Sequence, residues 1–424
     1  MKSGVIFILV LLLIAFVIGC DDNNTQQAAS NAIRIGAVYP FSGQQAQVGQ
    51  EIKNGIDLAV DIINNSYPGM NIPLAEGTGL PGLAGAPIQV IYADHQSTQA
   101  GARQRTEELI TNSKVVALIG AYQSEETRAA SEVAEQAGIP FLNPDSTSPA
   151  LTQRNFQWFF RTTPTDATFT MDAFEFMTEL NSTRNAGIRN LAVVHENTDF
   201  GLSFISLVNE YAPQYGMQVV TAIETQGASQ DVSADVSQLR AAQADAVLFA
   251  VYTEDAIRFM QEFKRQNYAP SLIWADDAGF ISQEYEQTLG ADADYVTSRE
   301  VWSLDVTRTN PLAAQVNALY RARYGTDMNG NSVRAFIGVI TLAEAINRAT
   351  STDPSRIRNA LRATNIPADQ LIAPWRGIHF DATGQNTLGD GIIVQMLGNR
   401  YTTIWPQAIA VLQPVFPFPS WNAR

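Results

Sequence analysis

From residue 33 onward, short apolar runs alternate with stretches of helical length, and the alternation runs twice. "IRIGAV", "PIQVIYAD", "VVALIG" and "IPFLN" read as strands. Between them "NGIDLAVDIIN", "ARQRTEELITN" and "SEETRAASEVAEQAG" read as helices, the last closed by Gly138. The rhythm restarts with "NLAVVH", "MQVVTAIE", "AVLFA" and "SLIWA" as strands, separated by "GLSFISLVNEYA", "SADVSQLRAAQ" and "EDAIRFMQEFKRQ" as helices. Continuous apolar strands separated by helices dictate parallel sheets covered on both faces. The expected fold class is therefore α/β, with two doubly wound, Rossmann-like lobes. Such sheets bind ligands at the carboxyl ends of their strands. If those ends face each other, the site is the cleft between lobes. Helices dominate residues 310–363, and "GIHFDATG" and "GIIVQML" close the pattern as strands.

The 424 residues carry a formal net charge of −15, which excludes the clustered basic surface that nucleic acid or anionic lipid requires. The single cysteine, Cys20, excludes an internal disulfide and a multi-cysteine metal site. It follows an unbroken apolar run, Val5–Ile18, that is short of the ~20 residues a membrane span needs but fits the core of a secretory signal. The ending "VIGC" resembles a bacterial lipobox, in which the signal is cut before a cysteine that receives lipid. Residues 1–19 are thus expected to be a lipoprotein signal peptide. The polar "DDNNTQQAASNA" after Cys20 is expected to be a flexible tether up to residue 32. This places the mature protein outside the cytoplasm, held to a membrane by its N-terminal lipid.

The chain lacks the motifs of the common enzymes. "GTGLPG" at 77–82 formally fits G-x-G-x-x-G, but it sits in the Gly/Pro-rich segment 64–87, where Pro81, Gly85 and Pro87 prevent the required helix. That segment reads as a surface excursion. "TDMNGNS" starts like a calcium loop, yet the twelfth position from Asp327 is Gly338, not Glu. The three histidines, His95, His195 and His379, form no zinc motif, and no G-x-S-x-G or P-loop appears. No cofactor, no metal and no catalysis are expected.

Two strand-end loops concentrate small donors. "GAYQSEET" opens a helix with Ser124 as its expected cap, and "NPDSTSP" supplies Ser146, Thr147 and the main-chain N–H groups of 145–147. A helix N-terminus with neutral donors suits a carboxylate. By spacing alone the same residues read more readily as a helix cap and turns.

Taken in order, "IGAVYPFSGQQAQVGQEIKNGIDLAVDIIN" and "LIGAYQSEETRAASEVAEQAGIPFLNPDSTSPALTQ" resemble the branched-chain amino-acid binding proteins of ABC importers. These are type I periplasmic binding proteins of the Leu/Ile/Val class, and the likeness runs from about residue 33 to 398. The resemblance implies that a ligand carboxylate is gripped at Ser124, at the main chain of Asp145 and Ser146, and at Thr147. It implies that an acid after "SLIWA", Asp276 with Asp277 as its rival, meets the ligand's ammonium. Tyr252 in "FAVYTED" and Phe200 after "VVHENT" would stack on the ligand. Tyr122 and Val48 are weaker candidates; Val48 stands where the family often has an aromatic wall. Asp145 replaces a small residue, and the 64–87 segment is longer than in leucine-binding prototypes. Relatives bind amides, urea, aromatic acids and other amino acids, so ligand identity stays open.

The implied molecule has lobe I at 33–164 plus 301–390, lobe II at 165–300 plus 391–412, three crossings at the hinge, and a C-terminal tail at 413–424. The expected partners are a small amino acid or amide-like ligand and an ABC permease. The rival is a lipoprotein of the same fold that binds and regulates a protein, such as a cell-wall synthase. A hydrolase without a recognisable motif is a third reading.

Overall fold

The structure is a computed structural model that describes residues 31–227 and 230–424. The leader, most of the tether and the lipidation expected at Cys20 lie outside the described residues.

Five strands build the first sheet: β1 (Ile33–Tyr39), β2 (Ile88–Asp94), β3 (Ala117–Gly120), β4 (Phe141–Asn143) and β5 (Phe159–Arg161). All pair in parallel, in the order β2-β1-β3-β4-β5. Helices α1 (Ala46–Asn64), α2 (Gln99–Thr111) and α3 (Ser124–Ala137) connect them. Helix α4 (Asp166–Arg184) leads to the second sheet, which begins with β6 (Asn190–Glu196), α5 (Asp199–Tyr211), β7 (Gln218–Thr225) and α6 (Ser233–Ala241). It continues through β8 (Ala246–Ala250), α7 (Thr253–Arg265), β9 (Leu272–Ala275), α8 (Gln283–Leu289) and β10 (Thr297–Glu300). The winding repeats that of the first sheet, β7-β6-β8-β9-β10, all parallel. Strands β3, β4, β8 and β9 are buried at every position, which is why their sequences are unbroken apolar runs with almost no polar alternation.

The chain then returns to the first lobe with α9 (Pro311–Tyr324), α10 (Gly330–Ala349) and α11 (Pro354–Arg362). Helix α10 packs along α1. Their approach is so close that a Cβ on Gly55 would stand 2.2 Å from the carbonyl oxygen of Ser332. Strands β11 (Asn365–Pro367) and β12 (Gly377–His379) form a small antiparallel pair. Finally β13 (Ile392–Met396) and β14 (Tyr401–Trp405) add two antiparallel strands beside β10 in the second sheet. The chain thus passes between lobes three times: after β5, after β10 and before β13.

Several expectations change. The 64–87 segment is not a free excursion, because Ile72, Ala75 and Leu80 are buried and the Gly82 N–H donates to Asn347 Oδ1 at 2.7 Å. The C-terminal tail is pinned to the second lobe: Trp421 Nε1 donates to the Tyr268 carbonyl at 2.7 Å, and Phe418 is buried. "NGNS" is a helix start, with Asn329 and Ser332 forming a capping box for α10. No helix among the described residues is long and apolar enough to cross a membrane.

Candidate functional site

Because both sheets wind alike, each offers its strand carboxyl ends to the other lobe. Beyond β3 lie Tyr122 and Ser124; beyond β4 lie Asp145, Ser146 and Thr147. From the second lobe come Phe200 after β6, Tyr252 after β8, and Asp277 after β9. These eight residues, with Ala278, Arg299 and Arg334, line one interlobe cavity. It is tight, about 30 Å³, room for a few waters at most when one water needs roughly 10–15 Å³ by the same measure.

Two aromatic pairs wall the cavity. The Tyr252 ring lies 5.6 Å from Phe200 and, across the cleft, 6.0 Å from Tyr122. Tyr252 is held against the 276–279 loop through Gly279, where a Cβ would meet the Tyr252 carbonyl oxygen at 2.5 Å. On the first lobe, buried His95 accepts from the Ser97 N–H at Nδ1, which leaves Nε2 to donate to the Ala121 carbonyl at 3.0 Å. Burial depresses the imidazole pKa to about 4, so the ring is a neutral brace for the loop carrying Tyr122.

The donor loops differ in part from expectation. Ser124 is the first residue of α3 and does not cap it; Gln123 holds the cap position without a side-chain bond. Asn143 Oδ1 accepts from the N–H groups of both Asp145 and Ser146 at 2.9 Å, so those two donors are already used. The Ser146 hydroxyl lies 2.7 Å from the Tyr122 carbonyl and 2.6 Å from Thr127 Oγ1, which makes it a brace between the two loops. The Thr147 hydroxyl serves the buried Asp166 carboxylate, whereas the Ser124 hydroxyl has no such internal duty.

The acidic pair is also rearranged. Asp276 is buried behind the cavity and does not line it, because Arg299 Nε donates to its Oδ1 at 2.9 Å. Its neighbour Asp277 takes the cavity position, turned by a backbone φ of 63°. Asp277 Oδ2 accepts from both Arg299 Nη1 and Arg334 Nη2. Arg334 also stands 3.4 Å from Glu300 Oε2, and Arg299 stands 3.8 Å from Asp166 Oδ1. Five carboxylates, Asp145, Asp166, Asp276, Asp277 and Glu300, therefore surround two guanidiniums. Burial pushes Asp145 up to about 7, against the lowering effect of the Tyr39 hydroxyl and Arg334. Burial likewise raises Asp276 to about 7, although Arg299 opposes it. Burial works against the charge on Arg299, but Asp276, Asp277 and Asp166 outweigh it and keep it protonated.

Val48 lies outside the cavity, buried in the core of the first lobe. Sequence reasoning missed Arg299 and Arg334. A signal existed for the second: Arg334 is the one charge in the otherwise largely apolar stretch "SVRAFIGVITLA". Arg299 sits in "TSRE", whose polar composition hid a fully buried strand.

The lobes touch on either side of the cavity. Arg128 Nε on α3 meets Asp199 Oδ2 on α5 at 2.6 Å. The Gln283 N–H of α8 donates to Glu51 Oε1 of α1 at 3.0 Å, and Glu51 Oε2 accepts from Asn329 and Asn331. The form described is closed.

Two doubly wound lobes, three crossings and a cleft walled by residues of both halves define a two-lobed binding-protein architecture. The chain belongs to the periplasmic binding protein family, whose model matches residues 32–398. Its members are exported substrate-binding proteins rather than enzymes. Among curated relatives it is 26% identical over 419 residues to Leu/Ile/Val-binding protein homolog 8 of Brucella suis, covering 96% of this chain and 98% of that one. It is 27% identical over 397 residues to homolog 7 of Brucella abortus, covering 92% and 95%. Among solved structures, the leucine binding protein LivK of Thermotoga maritima superposes with a TM-score of 0.74 at 19% identity, covering 88% of this chain and 97% of that one. LivJ of Streptococcus pneumoniae, in complex with isoleucine, gives 0.73 at 22% identity, covering 88% and 100%. A solute binding protein of R. palustris in complex with benzoate gives 0.73 at 16% identity, covering 92% and 97%. These likenesses fix the two-lobed type I fold.

Proposed function

We propose that the protein is the membrane-tethered receptor of an ABC importer, capturing an amino acid or a related small zwitterion between its lobes. The observation that carries this reading is the meeting of Ser124 and Thr147 from one lobe with Tyr252, Phe200 and Asp277 from the other around one cavity. In this reading the ligand carboxylate takes the Ser124 and Thr147 hydroxyls and the start of α3, Thr147 being steadied by Asp166. The ammonium faces Asp277, while Asp276 orients Arg299. The aromatic rings of Phe200, Tyr122 and Tyr252 cover the ligand. Closure follows because only the closed form offers both sets of contacts. The tight closed cavity requires the ligand to enter an opened cleft and hold the lobes slightly wider than they stand here.

The working division is lobe I at 33–164 plus 301–390, lobe II at 165–300 plus 391–412, and a tail at 413–424. Lipid on Cys20 would keep the receptor beside its permease. A thermal-shift panel of amino acids and amides on leader-free protein, unfolded and refolded to strip bound solute, tests the reading. Ligand at 100 times its Kd stabilises by about 2.7 kcal/mol. Absence of any response would turn attention to a protein partner. Loss of fatty-acid labelling in Cys20→Ser tests the anchor.

A further inference from the structure

Three residues of the first lobe line the cavity and each keeps one buried polar atom without a partner: Asp145 Oδ1, Arg334 Nε and Tyr122 Oη. They are 7%, 3% and 9% exposed. Each residue but Tyr122 is held in place through another polar atom. Asp145 Oδ2 accepts from Tyr39 Oη at 2.9 Å, and Arg334 Nη2 serves Asp277 and Glu300. A buried polar atom left unpaired costs about 1–3 kcal/mol. An aliphatic ligand side chain would dry all three and satisfy none. Asp166 Oδ1 and Asp276 Oδ2 also lack a hydrogen bond, but those residues stand beside Arg299 and do not line the cavity.

The three atoms ask for complementary chemistry. Asp145 Oδ1 needs a donor; Arg334 Nε needs an acceptor; the tyrosine hydroxyl accommodates either. A side-chain carboxylate would serve Arg334 and repel Asp145. A side-chain ammonium would serve Asp145 and repel Arg334. A carboxamide carries an acceptor oxygen and a donor nitrogen on one carbon and opposes neither. Resting on the interlobe site proposed above, we infer that the preferred solute is an α-amino acid whose side chain ends in a carboxamide or ureido group, not an aliphatic one. Lobe I would then hold both the α-carboxylate and the amide, and lobe II the ammonium. Sites built to hydrogen-bond a substrate discriminate strongly against analogues that lack the group.

Isothermal titration of the stripped, leader-free protein with glutamine, asparagine, citrulline, glutamate, lysine, leucine and isoleucine tests this. At least one amide or ureido amino acid should bind ~30-fold or more tightly than leucine, isoleucine, glutamate and lysine. Leucine or isoleucine binding as tightly as the amides would overturn the inference while leaving the interlobe receptor intact. Binding of no amino acid at all would overturn both. Asp145→Asn supplies the second arm. It keeps the shape and, at about pH 8.5 where Asp145 is ionised, removes the charge that rejects a carboxylate, so the ratio of glutamine to glutamate affinity at that pH should fall by ~10-fold or more. An unchanged ratio in a variant that folds and binds would show that Asp145 does not read the side chain and would refute the assignment.

Discussion

A hydroxyl with no internal duty is the clearest mark of a ligand contact in this cleft. Ser124 is buried at the start of α3 and its side chain caps nothing. Ser124→Ala should therefore leave the melting temperature of the empty protein within about a degree. It should weaken ligand binding ~10-fold or more, since a hydrogen bond to a charged group contributes about 1.5–3 kcal/mol. Titration of the variant beside a melting curve separates the two effects. Asp277 behaves oppositely, because its Oδ2 neutralises two buried guanidiniums. Asp277→Ala should lose binding and also lower stability by about 3–5 kcal/mol, the cost of breaking a buried ion pair from one side. Chemical denaturation measures the second loss. Ser124 and Thr147 could be placed near a cleft from their positions just past strand ends, whereas Phe200 and Tyr252 came only from the family resemblance and by themselves read as core or rim aromatics. The choice between Asp276 and Asp277 was not legible. It depends on a left-handed backbone turn at 277 that consecutive aspartates do not announce. Arg299 and Arg334 reach the cavity from β10 and α10, far along the chain, and no local pattern ties them to it.

Among the elements, the strongly periodic or fully apolar ones were readable and the mixed ones were not. Strands β8 and β9 are almost wholly apolar. Strand β10, with the sequence TSRE, is equally buried yet polar, since its side chains serve the ion-pair network. Helix α4 buries residues on several faces and interleaves them with threonines, so it shows no single apolar stripe. Element packing yields two measurable outcomes. Gly55→Ala should force α1 and α10 apart and cost about 1–3 kcal/mol, seen as a melting temperature lower by a few degrees. On α3, burial pushes Glu126 up to about 7 from an ordinary 4.5. The folded protein therefore holds this proton more tightly than the unfolded chain does. The stability this gives is fully present below about pH 4.5 and is lost as pH rises through 7. Glu126→Gln should match the parent near pH 4 and exceed it by up to a few kcal/mol at pH 8, as read by melting curves across that range.

For the whole molecule, the balance between open and closed forms rests on contacts outside the cavity as well as in it. The Arg128–Asp199 pair bridges the lobes at 2.6 Å with both side chains about one-third exposed. An exposed pair of this kind is worth up to ~1 kcal/mol and is screened by salt. Arg128→Ala should shift the empty protein toward the open form, visible as a larger radius of gyration in solution scattering. It should weaken ligand binding by up to ~5-fold. Raised ionic strength should reproduce part of the same shift in the unaltered protein.

The three passages between lobes carry a consequence for biosynthesis. The first sheet opens the polypeptide, but α9 and α10, which cover it, emerge only after most of the second sheet. The second sheet in turn waits for β13 and β14 near the very end. Each half is therefore completed by segments that follow much of the other half in the chain. A polypeptide terminated before residue 392 leaves the second sheet without its two antiparallel strands. A truncation there should consequently unsettle the second lobe far more than the first, whose covering helices are already made.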